Sequence, residues 1–260
     1  MPMASWWRAG SERTMTKRLI AVLALALAGA TPAAAQDAPN FEGFWGLSWT
    51  PGEPSSEMIA MLPENTVVID DTGAEEFPRG EFGGLVLTPE AAAHAEAWRS
   101  EDDMTIDRVC LPPSIVYAVQ GPFPFELFQT PELIVMKYEY FDQTRLIFMD
   151  GREAPENQPH SKMGFSVGHW DGKDLVIETD HIAASTITNN GLDHSDDVRM
   201  VERYRLSDDG SQLLATQWFS DPASIENNGA RWIVWDKREG EHVYPYECDP
   251  TFALEYGKAE

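Results

Sequence analysis

The 260-residue chain has only two cysteines, one short apolar run and fewer than half as many basic as acidic residues. Each shortage excludes something. Neither cysteine has a second Cys or a close His at ligand spacing, so a structural zinc site finds no support and no metal is expected. The apolar run, Leu19–Gly29 (LIAVLALALAG), is too short to span a bilayer as a stable helix, and no second one follows. Lys and Arg number 19 against 43 Asp and Glu, a net charge of −24. A surface of that sign repels phosphate backbones and anionic lipid, which disfavours nucleic acid and membrane surfaces as partners. There is no G-x-S-x-G, no H-E-x-x-H, no phosphate-binding glycine loop and no dinucleotide fingerprint, so no cofactor is implied.

What is present begins with an export signature. Lys17-Arg18 precede the apolar run, and Ala33-Ala34-Ala35 then offer a small-residue cleavage site, the pattern of a secretory signal peptide cut near Ala35. Met15 is a more natural start than Met1, since residues 1–14 add nothing a signal needs. No Cys follows the cleavage site, so no lipid anchor is expected. The expectation is a signal with its upstream extension over residues 1–36, and a single periplasmic or secreted domain over 37–260. Loss of Arg8, Glu12, Arg13, Lys17 and Arg18 leaves 42 acids against 15 bases, a net of −27. An even cysteine count in an exported chain points to a Cys110–Cys248 disulfide, two unrelated buried thiols being the alternative. Closing so long a loop contributes roughly 4–5 kcal/mol in the chain-entropy account.

One helix stands out, LTPEAAAHAEAWRSEDD. Thr88 caps it, Pro89 takes the first helical position, Glu90 meets the positive dipole end, and alanines extend it to about Ser100. From Pro131 onward, short strand candidates follow one another: ELIVMKYEYF, TRLIFMDG, KMGFSVGHW, KDLVIETDH, DVRMVERYRL, QLLATQWF and ARWIVWDKR. Turn clusters such as Asp150-Gly151, Asp171-Gly172 and Asp208-Asp209-Gly210 punctuate them. With further strands near Trp45, Val68 and Tyr117, the pattern reads as an all-β, antiparallel up-and-down barrel of about eight to ten strands with one outer helix. Closure removes the edges an exported protein would otherwise protect. Two polar stretches resist the strand pattern. Arg152–His160 reads as a loop over a barrel mouth, and Ala184–Asp197 as a mobile lid.

The opening EGFWGLSW resembles the G-x-W start of lipocalin-like (calycin) barrels, carried here by Gly43-Phe44-Trp45. IFMDGREAP, MGFSVGHWDGKDLVIET, VERYRL and YECD resemble a family of uncharacterised exported bacterial proteins with a D-G-R-x-x-P turn and a G-x-W-(D/E)-G-x-x-L-V hairpin. That family also has an R-C-x-P segment, from which RVC at Arg108–Cys110 departs by one residue. The resemblance implies a shared barrel and disulfide, and no particular reaction.

The hairpin sorts its faces. With Asp171-Gly172 as a two-residue turn, Ser166, Gly168 and Trp170 share a face with Leu175, Ile177, Thr179 and His181. That set is mostly apolar and is expected to line the interior, with His181 at the mouth as a general base or as a histidine satisfied by a carbonyl. In DVRMVERYRL the arginine-rich face must be outside, which turns Glu202 inward. A desolvated carboxylate there can exchange protons, unless an Arg or Tyr satisfies it. Tyr138 is an interior phenol or plain core. Arg152 pairs with Asp150 in a turn or clamps an oxyanion. His160 and His194 in the loops, and Trp170, complete the expected ligand contacts. The expected partner is a small hydrophobic molecule. The expected function is a cofactor-independent lyase or isomerase acting by proton transfer on an aromatic or terpenoid substrate inside the barrel, a lignin-derived phenolic being one concrete case. The alternative is a non-catalytic carrier.

Overall fold

A computed structural model describes residues 38–71 and 77–255; the expected signal peptide lies outside the described residues. Strand β1 (Gly43–Leu47) is followed by helix α1 (Ser56–Ala60), β2 (Thr66–Val68) and three further helices, α2 (Pro89–Ala97), α3 (Ser100–Asp103) and α4 (Ile115–Ala118). Strands β3 (Phe125–Gln129), β4 (Leu133–Tyr138), β5 (Thr144–Phe148), β6 (Phe165–Asp171) and β7 (Asp174–Asp180) come next. After them run β8 (Ser185–Thr188), β9 (Leu192–His194), β10 (Arg199–Leu206), β11 (Gln212–Ser220) and β12 (Asn228–Lys237).

Nine strands close into a barrel in the order β1-β3-β4-β5-β6-β7-β10-β11-β12, the ring completed by β12 pairing with β1. The all-β barrel expected from the strand spacing is therefore present. It is not antiparallel throughout. β5 and β6 run parallel, with Ile147 opposite Ser166, because the loop after Met149 carries the chain back before β6 begins. β2 adds to β12, also in parallel. The strand expected near Tyr117 is the helical turn α4, where the Ser114 carbonyl accepts from the amides of Tyr117 and Ala118. The expected helix is α2, with Thr88 Oγ1 accepting from Ala91 N; it stops at Ala97 because Trp98 turns to an extended ψ of 144°. Three short helices accompany it.

Alternation fixes the two walls. Trp45, Phe125, Met136, Ile177, Tyr204 and Trp235 point into the interior and are buried. On β10, Met200, Glu202 and Tyr204 point in while Arg203 and Arg205 point out, as the arginine argument required. Outside, Arg203 and Arg205 both bond Asp174, and Arg205 also reaches Glu57 of α1. Burial opposes the Asp174 charge, yet the two guanidiniums overcome it and hold the carboxyl below its usual range. The β6–β7 turn sits one residue later than expected, at Gly172–Lys173, so Trp170 faces Leu175. Its parity is unchanged, and so are the faces.

One end of the barrel is capped. The segment expected as a polar lid, Ala184–Asp197, contains the β8–β9 hairpin, whose Ile187, Leu192 and His194 are buried. Arg231 fastens this cap with all five of its donors. It bonds both Asp71 oxygens at 2.7 and 2.8 Å, the carbonyls of Val116 and Ile187, and Gln217 Oε1. Cys110 and Cys248 form the disulfide, with Cα atoms 5.8 Å apart. The chain leading to it is pinned by carboxylates, Glu139 accepting from Tyr244 N and Asp142 from Tyr246 N. Among the described residues no helix is long and apolar enough to cross a membrane.

Candidate functional site

The residues singled out from the sequence go to three places. Glu202, Tyr138 and Trp170 belong to the interior face. His194 is in the cap. His181, His160 and Arg152 lie on the outside of the barrel.

In the lumen, Glu202 is fully buried and both of its oxygens are taken, one by Arg145 Nη2 at 2.5 Å and one by the Tyr204 hydroxyl at 2.8 Å. Arg145 comes from β5 and was not singled out from the sequence. Its Nε donates to Ser166 Oγ at 3.0 Å and its Nη2 also donates to Thr179 Oγ1 at 2.7 Å, so one guanidinium gathers β5, β6, β7 and β10. Burial works against its charge, but Glu202 together with Tyr138 and Tyr204 outweighs it and carries the Arg145 pKa upward. Burial likewise raises the Tyr138 phenol above its usual range, against the pull of Arg145. The Tyr138 hydroxyl donates only to Met136 Sδ, at 3.5 Å. Trp170, half-buried, packs edge-on against Phe41 with centroids 5.3 Å apart. Both Glu202 oxygens are engaged by donors of the protein, and the polar atoms left over in the interior, Arg145 Nη1 and Trp235 Nε1, are donors.

His194 is a structural histidine. Its Nδ1 lies 2.9 Å from the Ser195 carbonyl, which can only accept, so Nδ1 carries the proton and Nε2 accepts from Ser114 Oγ at 2.7 Å. Burial lowers its pKa. The Ser114 partner is itself completely buried. This bond joins the β8–β9 hairpin to the start of α4.

The inward orientation expected for His181 is corrected. β7 ends at Asp180, and His181 takes a left-handed φ of 53°, which breaks the alternation and swings its ring out of the barrel. Its surroundings enforce this conformation. The His181 carbonyl accepts from Ser161 N at 3.0 Å, Ile182 is buried, and Gly164 passes so close that a Cβ would lie 2.6 Å from the Asp180 carbonyl. Non-glycine residues held in this region carry strain and concentrate at functional sites. His181 Nδ1 lies 2.7 Å from Asp180 Oδ1, and the His160 ring packs on it with centroids 5.2 Å apart.

An open groove of about 550 Å³ runs on the outer wall of β6, β7, β10 and β11; Asp180 lines it, and His181 is the next residue along the chain. Phe165, Val167, Val201 and Trp218 supply apolar surface, Arg152 and Arg199 supply cations, and Asp180 forms part of the wall. The loop from Arg152, expected over a barrel mouth, edges this groove instead. Arg152 makes the turn pair anticipated from D-G-R, its Nε 2.9 Å from Asp150 Oδ1, and lies 4.2 Å from the Phe148 ring centroid. Among the described residues Arg199 makes no ion pair, which leaves it available to an oxyanion. Asp180 and Arg199 were missed in the sequence because each looks like an ordinary charge on an outward strand position. Among the described residues no group of three His, Cys, Asp or Glu side chains is disposed to hold a metal. No known protein family matches the chain, and no curated protein matches it in sequence.

Proposed function

We propose that this protein is an exported, cofactor-independent lyase or isomerase that moves a proton on a small, mostly apolar substrate, and that the chemistry takes place in the outer groove. The observation that carries this reading is the 2.7 Å hydrogen bond between His181 and Asp180, whose carboxylate lines that groove. A carboxylate on Nδ1 fixes the tautomer and ring orientation and leaves Nε2 as the free nitrogen, the arrangement a general base requires. The substrate lies on the Val167, Val201 and Trp218 surface. His181 takes its proton, and the electron pair moves onto an oxygen facing Arg199, with Arg152 on the same rim. An aromatic or terpenoid skeleton with a hydroxyl or carbonyl, including phenolic dimers, suits that surface. The disulfide supports export.

Incubation of the purified protein with a panel of aromatic and terpenoid alcohols and ketones, read by mass spectrometry for product, tests this. The expected outcome is turnover that falls at least about 100-fold in His181→Ala, with a smaller loss in Asp180→Asn. Turnover surviving in His181→Ala overturns the assignment. A non-catalytic carrier is the second reading, favoured by interior donors on Arg145 and Trp235 that no protein group accepts. Saturable binding without product on any panel member would select it.

A further inference from the structure

Buried polar groups in folded proteins are paired in the great majority of cases, and each exception calls for an explanation. Two exceptions share the lumen. Arg145 Nη1 and the Trp235 indole Nε1 are buried and meet no acceptor. They belong to one connected set of side chains. The Phe125 ring touches Tyr138 and Trp235, with centroids 5.5 and 5.3 Å away. Tyr204 stacks on Trp235 at 5.8 Å, and its hydroxyl leads through Glu202 to Arg145.

We infer that the lumen is a second binding site, for a neutral, ring-sized apolar molecule whose carbonyl or ether oxygens accept from Arg145 Nη1 and Trp235 Nε1. The polarity follows from the donors, since both open groups carry hydrogen and neither can accept, so the guest must. The neutrality follows from charge balance. Glu202 already neutralises Arg145 at 2.5 Å, and a carboxylate guest would add an uncompensated charge to a buried site. A ketone, lactone or quinone carries the acceptor without that cost. The Tyr138 hydroxyl, which lies by Arg145 and whose own proton goes to a thioether, is a third donor to the same guest. Apolar walls come from Phe125, Tyr204 and Trp235, and barrels of about this strand number hold one small ligand when side chains do not fill them completely. The site is distinct from the outer groove lined by Asp180 and Arg199, and binding in it requires no turnover.

Calorimetric titration of the protein with 2-tetralone, tetralin and tetralin-2-carboxylate, three guests on one two-ring skeleton, tests the inference. The ketone is expected to bind at least tenfold more tightly than either of the others. Tyr138→Phe, which removes only a hydroxyl, and Trp235→Phe, which also removes a ring, both checked for native circular dichroism, should each weaken the ketone relative to tetralin about 3–10-fold. Equal or tighter binding of the hydrocarbon or the carboxylate overturns the inference. So does ketone binding indifferent to both substitutions, no saturable binding by any of the three, or a ketone-soaked crystal with only water at Nη1 and Nε1.

Discussion

Arg231 and Arg145 are both buried in the barrel, each opposite a carboxylate, and they differ in how their donors are spent. Arg231 places all five on protein acceptors drawn from Asp71, α4, β8 and β11. Arg145 places three, on Ser166, Thr179 and Glu202, and keeps Nη1 open. The first is a fastener, because no donor is left over and its bonds tie Asp71, α4 and β8 to β12. The second has capacity left over for something that is not protein. A buried cation is therefore informative less by its presence than by what remains of its hydrogen-bonding after the fold has used it.

The largest expected effect separates the two directly. Arg231→Met should cost about 3–5 kcal/mol in urea unfolding, because Asp71 is left charged and unpaired. Replacing Asp71 as well should recover little, since the Val116 and Ile187 carbonyls and Gln217 still lose their donor, each at about 1–3 kcal/mol. The Arg145→Met/Glu202→Leu pair should instead return to within about 1–3 kcal/mol of the wild type, since Ser166 and Thr179 keep each other and only the Tyr204 hydroxyl loses its acceptor. Equal losses in the two double variants would erase the distinction.

A smaller effect concerns the cap that Arg231 holds. The folded pKa of His194 lies below its usual value, so the unfolded chain takes up a proton that the folded protein refuses. Its contribution is fully present above the unfolded value of about 6.5 and is lost as pH falls from there, by at most about 1.4 kcal/mol per pH unit. Unfolding midpoints between about pH 7.5 and 5.5 should show this slope, and His194→Gln should flatten it. Asp174 adds a second, more acidic window. Its carboxyl is held low by Arg205 and Arg203, so its stabilisation is present above the ordinary Asp value and is lost as pH falls further.

The smallest effect on folding belongs to a third arginine, on the surface. Arg152 bonds Asp150 at 2.5 Å, but both side chains are exposed and water screens the pair. Arg152→Ala should leave the unfolding midpoint unchanged within error while weakening substrate in the groove. A clear loss of stability would place Arg152 with the fasteners.

Much of this arrangement was legible in the order of residues, for local reasons. Thr88-Pro89-Glu90 announced α2, the Asp-Gly pairs marked the turns, and the run of short strands implied a barrel. On β10 the alternation of arginine with Met200, Glu202 and Tyr204 was enough to turn Glu202 inward, and a Tyr or Arg partner was already one of the two outcomes foreseen. His181 shows where such reasoning stops. Period-two alternation holds only while the strand lasts, and a single left-handed residue at its end reverses the side chain. Arg145 shows another limit. Its acceptors, Ser166, Thr179 and Glu202, lie 21, 34 and 57 residues away along the chain. Nothing near TRLIF signals that they converge.

Composition, alternation and turn chemistry alone determined that this chain is a β-rich, acidic protein with the arginines of β10 turned away from Met200, Glu202 and Tyr204, because those features act between neighbours a few residues apart. Tertiary structure decided the rest. The parallel β5–β6 pair, the cap held by Arg231, the outward His181 and the open donors on Arg145 and Trp235 all depend on contacts between distant segments. Which of those contacts form is fixed only when closure of the barrel brings the segments to the same place.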